Sequence, residues 1–140
     1  MRSSELFEKA HIALKSALLL LQSKDYDGAC NRAYYAMFDA ARGALLATNE
    51  VKDLSVIKTH TGLISQFSLH LVKTGKVSIE HGKALNKVED LRLIADYTDN
   101  AISEQDSEWA IFSGRDNLLY SFVIEYLCML LHQFLPDTIF

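Results

Sequence analysis

Apolar residues recur every three or four positions along most of this chain, the spacing of one face of a helix. Leu6, Ala10, Ala13, Leu14, Ala17, Leu20 and Leu21 form the first stripe and predict a helix from about Ser4 to Ser23. Asp25-Tyr26-Asp27-Gly28 breaks it, and either aspartate suits the N-cap of a second helix striped by Cys30, Tyr34, Met37, Phe38, Ala41 and Leu45. After a loop at about 49–55, a third helix is expected near Thr59 or Thr61, with His60, Ile64, Phe67 and Leu71 on one face. Gly75 is placed for a left-handed C-terminal cap. A fourth helix starts at or beside Ser78 and carries Ala84, Leu85, Val88, Leu91 and Ala95 as its stripe. Ser103 and Asp106 have capping-box spacing at the head of a fifth, from about Glu104 to Phe134, although Glu or Gln is the usual third-position partner. No stretch alternates as a strand does. The expected fold is all-α, an up-and-down bundle of four to five helices forming a single domain over residues 1–140.

Composition narrows the setting. Hydrophobic residues make up 49% of the 140, but Glu125 breaks the longest apolar run, near Phe122 to Leu131, so no membrane span is expected. The first residues lack the apolar stretch of a secretory leader, and a cytoplasmic location is the expectation. Cys30 and Cys128 are far apart and sit in helical apolar patterns, which points to buried, reduced thiols. The net charge of -4 is unevenly spread: residues 52–87 hold six lysines against two acids, and residues 88–140 hold two arginines against ten acids. The basic middle suits phosphate and the acidic end suits a basic partner, while a solvated surface is the plainer explanation of both.

Candidate chemistry centres on Arg92-Leu93-Ile94-Ala95-Asp96-Tyr97. At ~100° per residue, Arg92 projects only ~60° from the middle of its stripe, so it leans toward the core. A buried arginine needs a partner or a ligand. Asp96, four residues on, is one partner within the same helix. Tyr97 points ~140° away from Arg92 unless the helix ends there. Asn31, Tyr35 and Arg42 lie on one shoulder of the second helix. If the second and fourth helices are antiparallel neighbours, Asn31, Tyr35, Arg92 and Asp96 line one groove, either as a binding site or as a network that orients helices. His60 follows Lys58-Thr59 at a helix start, where N–H groups and a lysine suit an anion; a hydrogen-bonded core histidine is the plainer alternative. His81 shares the Arg92 shoulder about three turns earlier, too far for direct cooperation. Glu8-Lys9-Ala10-His11 has the Glu-x-x-His form of di-iron bundles, but no second unit occurs, so no metal and no other cofactor is expected.

Three segments together, Asn31-Arg32-Ala33-Tyr34-Tyr35-Ala36-Met37-Phe38, Lys58-Thr59-His60-Thr61-Gly62 and Leu91-Arg92-Leu93-Ile94-Ala95-Asp96-Tyr97, resemble the HEPN superfamily (higher eukaryotes and prokaryotes nucleotide-binding domains), in its small stand-alone prokaryotic branch. The likeness spans roughly residues 5–130. It implies a two-fold homodimer and pairing with a minimal nucleotidyltransferase antitoxin in a toxin–antitoxin module. It also implies metal-independent ribonuclease activity from an Arg followed, after four to six residues, by His. Here the Arg is Arg92, but Tyr97 stands where a His would fall and no His follows until His132. Tyrosine, with a pKa near ~10, is a poor base at neutral pH. The resemblance therefore leaves two functions open. One is an RNA-cleaving or RNA-binding toxin in which Arg92, Asp96, Tyr97 and His60 are the catalytic candidates and Asn31, Tyr35 and Lys58 bind substrate. The other is a non-catalytic dimeric module that binds a nucleotide or a partner protein. In some relatives the transferase adenylylates a tyrosine just after the motif Arg, and Tyr97 is the matching position. Trp109, Phe112, Leu119, Phe122, Val123, Tyr126, Leu127, Leu130, Leu131 and Phe134 give the last helix a broad apolar face, fit for a central core or a subunit interface.

Overall fold

A computed structural model describes residues 2–117. The apolar stripes fold as helices α1 (Ser3–Gln22), α2 (Tyr26–Ala47), α3 (His60–Phe67) and α4 (Ile79–Tyr97). A fifth, α5, runs from 104 to the last described residue, 117. There is no strand among the described residues, and the fold is an all-α bundle. Leu119 to Phe134 of the expected last helix lie outside the described residues, with Cys128 and His132.

Small residues decide how α1 and α2 meet. Their shared core is rich in alanine, with Ala10, Ala13 and Ala17 on α1 and Ala33, Ala36, Ala40 and Ala44 on α2, all buried. Without branched side chains at these places the two backbones can approach closely. Gly43 marks the tightest point, since a Cβ there would lie 2.7 Å from the buried Phe7 ring. A short turn links the two helices, with Lys24 at φ 67° and the Asp25 carboxylate accepting from Gly28 N at 2.9 Å as the N-cap.

The caps expected from sequence form at three further helix starts. Thr59 Oγ1 accepts from Gly62 N at 2.8 Å, Ser78 Oγ from His81 N at 3.4 Å, and Ser103 Oγ from Asp106 N at 3.0 Å. Gly75 takes φ 78°, as a left-handed cap requires. Two features depart from the expected pattern. A 3₁₀ turn, Leu54–Val56, interrupts the loop after α2, and α3 widens into a π-helical turn, Ser68–Val72, in which Lys73 N donates to Ser68 O at 2.9 Å.

α4 lies antiparallel to α2, since Asn31 meets Asp96 while the later Tyr34 meets the earlier Arg92. α5 packs on both α1 and α2: a Cβ at Gly114 would lie 3.4 Å from Leu14 Cδ1 and 3.6 Å from the Ala33 carbonyl oxygen. The loop before α5 is pinned by Ile102 N, which donates to Asp27 Oδ1 at 2.9 Å. Of the apolar face expected on this helix, Trp109 is half-buried with the Lys87 ammonium 4.0 Å above its ring, and Phe112 is 61% exposed. Cys30 is fully buried, and burial pushes its thiol pKa up to about 12.

Two outcomes follow from this core. Gly43→Ala drives a methyl into the Phe7 ring and should lower stability by about 1–3 kcal/mol in urea unfolding. In a Cys128→Ser background at pH 8, Cys30 should resist a thiol reagent until denaturant is added; rapid native-state modification would contradict its burial.

Candidate functional site

The site is built where α4 crosses α2. Leu85, Val88 and Leu91 bury one face of α4, and Arg92 is buried beside them, only 6% exposed. Its guanidinium is closed on three sides. Nε donates to Glu89 Oε2 at 2.9 Å and Nη2 to Glu89 Oε1 at 3.0 Å, a bidentate pair one turn back. Nη1 reaches Asp96 Oδ2 at 3.4 Å. The guanidinium carbon stands 4.8 Å from the centre of the Tyr34 ring, in cation–π range. The Glu89 hydrogen bonds outweigh burial and hold the guanidinium charged, above the ordinary arginine value.

Asp96 joins the two helices. It takes Arg92 from its own helix and accepts from Asn31 Nδ2, at 3.1 Å to Oδ2 and 3.4 Å to Oδ1. Asn31, Arg92 and Asp96 therefore meet, as the expected groove requires. The aromatic partner is Tyr34, however, and Tyr35 stands beside it. Tyr34 has no exposed surface, whereas the half-buried Tyr35 touches it edge-on at 5.4 Å and carries Arg32 5.6 Å above its own ring.

Tyr34 also brings in His60. Its hydroxyl lies 2.7 Å from His60 Nδ1, and the two ring centres are 5.6 Å apart. Phe38 closes the cluster, 4.7 Å from the imidazole centre. Thus one tyrosine ring holds the guanidinium and the imidazole in a single assembly. Burial first, and the Glu89 carboxylate second, push the Tyr34 phenol well above its ordinary pKa, so it stays protonated. A protonated phenol has two ways to bond an imidazole. When it donates to Nδ1, Nε2 carries the ring hydrogen and can donate a hydrogen bond. When it turns toward Glu89 and accepts from Nδ1–H, Nε2 presents a lone pair and can take a proton.

The remaining candidates stand apart. Tyr97 is 75% exposed at the end of α4, five residues after Arg92, and its side chain makes no hydrogen bond among the described residues. Lys58 is exposed before α3, without an ion-pair partner among the described residues. Glu8 and His11 are exposed on α1, and no cluster of three or more His, Cys, Asp or Glu suited to a metal occurs among the described residues. Two members of the site escaped the sequence reading. Glu89 was signalled only by its i,i+3 spacing to Arg92, and Tyr34 was hidden because it lies in the apolar stripe of α2.

Known proteins are similar to this chain in sequence. A UPF0332 protein of Gloeobacter violaceus is 38% identical over 106 residues, which cover 74% of this chain and 80% of that protein. A protein of Methanocaldococcus jannaschii named "putative toxin" is 36% identical over 109 residues, 78% of each chain. A UPF0332 protein of Thermotoga maritima is 40% identical over 89 residues, 64% of each. The family model described as the HEPN domain matches residues 3–115, which take in α1 to α4 and nearly all the described part of α5. The chain belongs to the HEPN family.

Proposed function

We propose that this chain is a toxin-like HEPN protein that acts on RNA, in the cytoplasm and as a two-fold homodimer, with a minimal nucleotidyltransferase as its antitoxin partner. The carrying observation is the Tyr34 ring, which stacks on Arg92 and hydrogen-bonds His60. An imidazole able to take and give a proton, held by the same tyrosine as a fixed guanidinium, suits phosphodiester cleavage without a metal. His60 Nε2 takes the proton of a ribose 2′-hydroxyl, whose oxygen attacks the adjacent phosphorus. The bond to the 5′-oxygen breaks, the imidazolium so formed returns its proton to that oxygen, and a cyclic 2′,3′-phosphate remains. In this scheme His60 takes the part of the histidine that is missing after Arg92. Two relatives named "putative toxin", both from Methanocaldococcus jannaschii, support the toxin-like reading.

One observation favours a second reading. Glu89 and Asp96 together bring two negative charges to the single positive charge of Arg92, which leaves little attraction for a phosphate. Arg92 then serves to orient α2 and α4, and the chain is a non-catalytic dimeric module that binds a nucleotide or a partner protein. In either reading Tyr97 is exposed enough to receive an adenylyl group from the partner, its phenol oxygen attacking the α-phosphorus of ATP and releasing pyrophosphate.

Inducible expression in bacteria separates the two. Wild-type chain should slow growth and fragment RNA, and His60→Gln, which keeps a hydrogen-bonding group but cannot relay protons, should cut RNA at least about 100-fold more slowly. Intact RNA at high wild-type expression would leave the binding module. Arg92→Ala alone cannot decide, because it strands Glu89 and should cost about 3–5 kcal/mol of stability by itself. Co-expression with an active partner transferase should add the mass of one AMP unit to the wild-type chain and none to Tyr97→Phe; modification retained in Tyr97→Phe would move the acceptor elsewhere.

A further inference from the structure

Beyond His60, on the side away from Arg92 along α2, the structure holds a cleft that the chemistry above does not use. The segment around the 3₁₀ turn, Leu54–Val56, stands off from the C-terminal half of α2 and leaves a space of about 450 Å³. Arg42, Lys52, Asp53 and Ser55 line it. A smaller space of about 240 Å³ shares Arg42, Leu54 and Ile57 with it and is walled by Phe38 and Leu63. Together they make a cleft with one charged end, where Arg42 and Lys52 are joined by Asp53, and one apolar, aromatic end.

Each cation has a carboxylate near it, Asp39 against Arg42 and Asp53 next to Lys52 in the lining. Asp39, only 4% exposed, takes Arg42 Nη1 at 3.2 Å. That leaves further guanidinium N–H groups, and the same guanidinium lies 5.6 Å above the Phe38 ring. Asp53 accepts from Ser55 N at 2.9 Å, capping the 3₁₀ turn. Lys52 is exposed and has no ion-pair partner among the described residues. The cations can thus receive an anion while the apolar end receives something flat. The combined size falls in the usual range for small-molecule sites, roughly 300–1,000 Å³.

We propose that this cleft is a nucleotide subsite, in which Arg42 and Lys52 hold a phosphate and Phe38, Leu54, Ile57 and Leu63 enclose the base. Because Phe38 also touches His60, a nucleotide seated there adjoins the imidazole. Its role as part of an RNA track rests on the RNA reading above; its ability to bind a nucleotide does not.

The test titrates the full chain with adenosine 5′-monophosphate, adenosine and inorganic phosphate, following backbone amide resonances. The monophosphate should shift residues 52–57, and adenosine or phosphate alone should bind more weakly. Lys52→Ala removes an exposed charge without touching the core and should weaken the monophosphate about tenfold, while Lys73→Ala, another exposed lysine, should leave it unchanged. Shifts confined to other residues, or equal affinity in wild type, Lys52→Ala and Arg42→Gln, would overturn the proposal. A short adenine oligoribonucleotide distinguishes the two sources of the same chemistry. Binding at least about tenfold tighter than the monophosphate, with the same sensitivity to Lys52→Ala, marks an RNA track. Equal binding marks a site for free nucleotide. If the monophosphate binds as expected while the chain cleaves no RNA, the subsite stands and the ribonuclease reading falls.

Discussion

A guanidinium almost wholly removed from water governs this structure. Such a charge costs several kcal/mol to bury unless its hydrogen bonds are replaced, and removing one partner from a buried pair is more harmful than never having had the pair. Arg92 draws its partners from two helices: Glu89 and Asp96 lie one turn to either side on α4, and Tyr34 comes from α2. Asp96 is tied in turn to Asn31, so α2 and α4 are held at two levels. Sliding one helix by a single turn, ~5.4 Å, would break both. The buried apolar stripe of α4 is short, so the polar contacts set the register that greasy side chains alone leave open. Placing His60 is a by-product, since the same tyrosine that covers the guanidinium also bonds the imidazole.

Much of the fold is legible in the chain because helix stripes and caps are local. Leu6, Ala10, Ala13, Leu14 and Ala17 are buried as their spacing requires, and Asp25, Thr59, Ser78 and Ser103 all cap where they were expected. The lean of Arg92 toward the core was also readable, since it depends only on angles about one helix axis. What could not be read depends on a second axis. Whether Tyr34 or Tyr35 covers Arg92 is set by how far α2 is rotated toward α4, and either residue of the doublet satisfies the sequence pattern. Glu89 competes with Asp96 for the same guanidinium, and spacing alone does not rank the bidentate pair first. The meeting of Tyr34 and His60 joins residues 26 positions apart through a loop whose path no local signal encodes.

Charge is distributed unevenly along α2. Around Arg92 the carboxylates outnumber the cation, and the groove there is shaped mainly by hydrogen bonds and rings. Further along α2, Phe38 and Arg42 face a roomier space, with Lys52 on its opposite wall. His60 lies between these regions, half-buried, held by Tyr34 on one side and by Phe38 on another. The imidazole therefore has a packed, hydrogen-bonded surface on the Arg92 side and a more open one on the other.

The wide turn at Ser68–Val72 has a consequence for how this protein can change length. It accommodates one more residue than a regular turn, and its bond from Lys73 to Ser68 reaches back five positions. Losing a single residue there would restore ordinary helical bonding while rotating the segment after it by about 100° against His60–Phe67. His70, which now faces Glu50 and Gln66, would be carried out of phase with both. Chain length at this point thus acts as an angular setting, and a one-residue deletion that leaves the helix intact re-aims everything between α3 and α4.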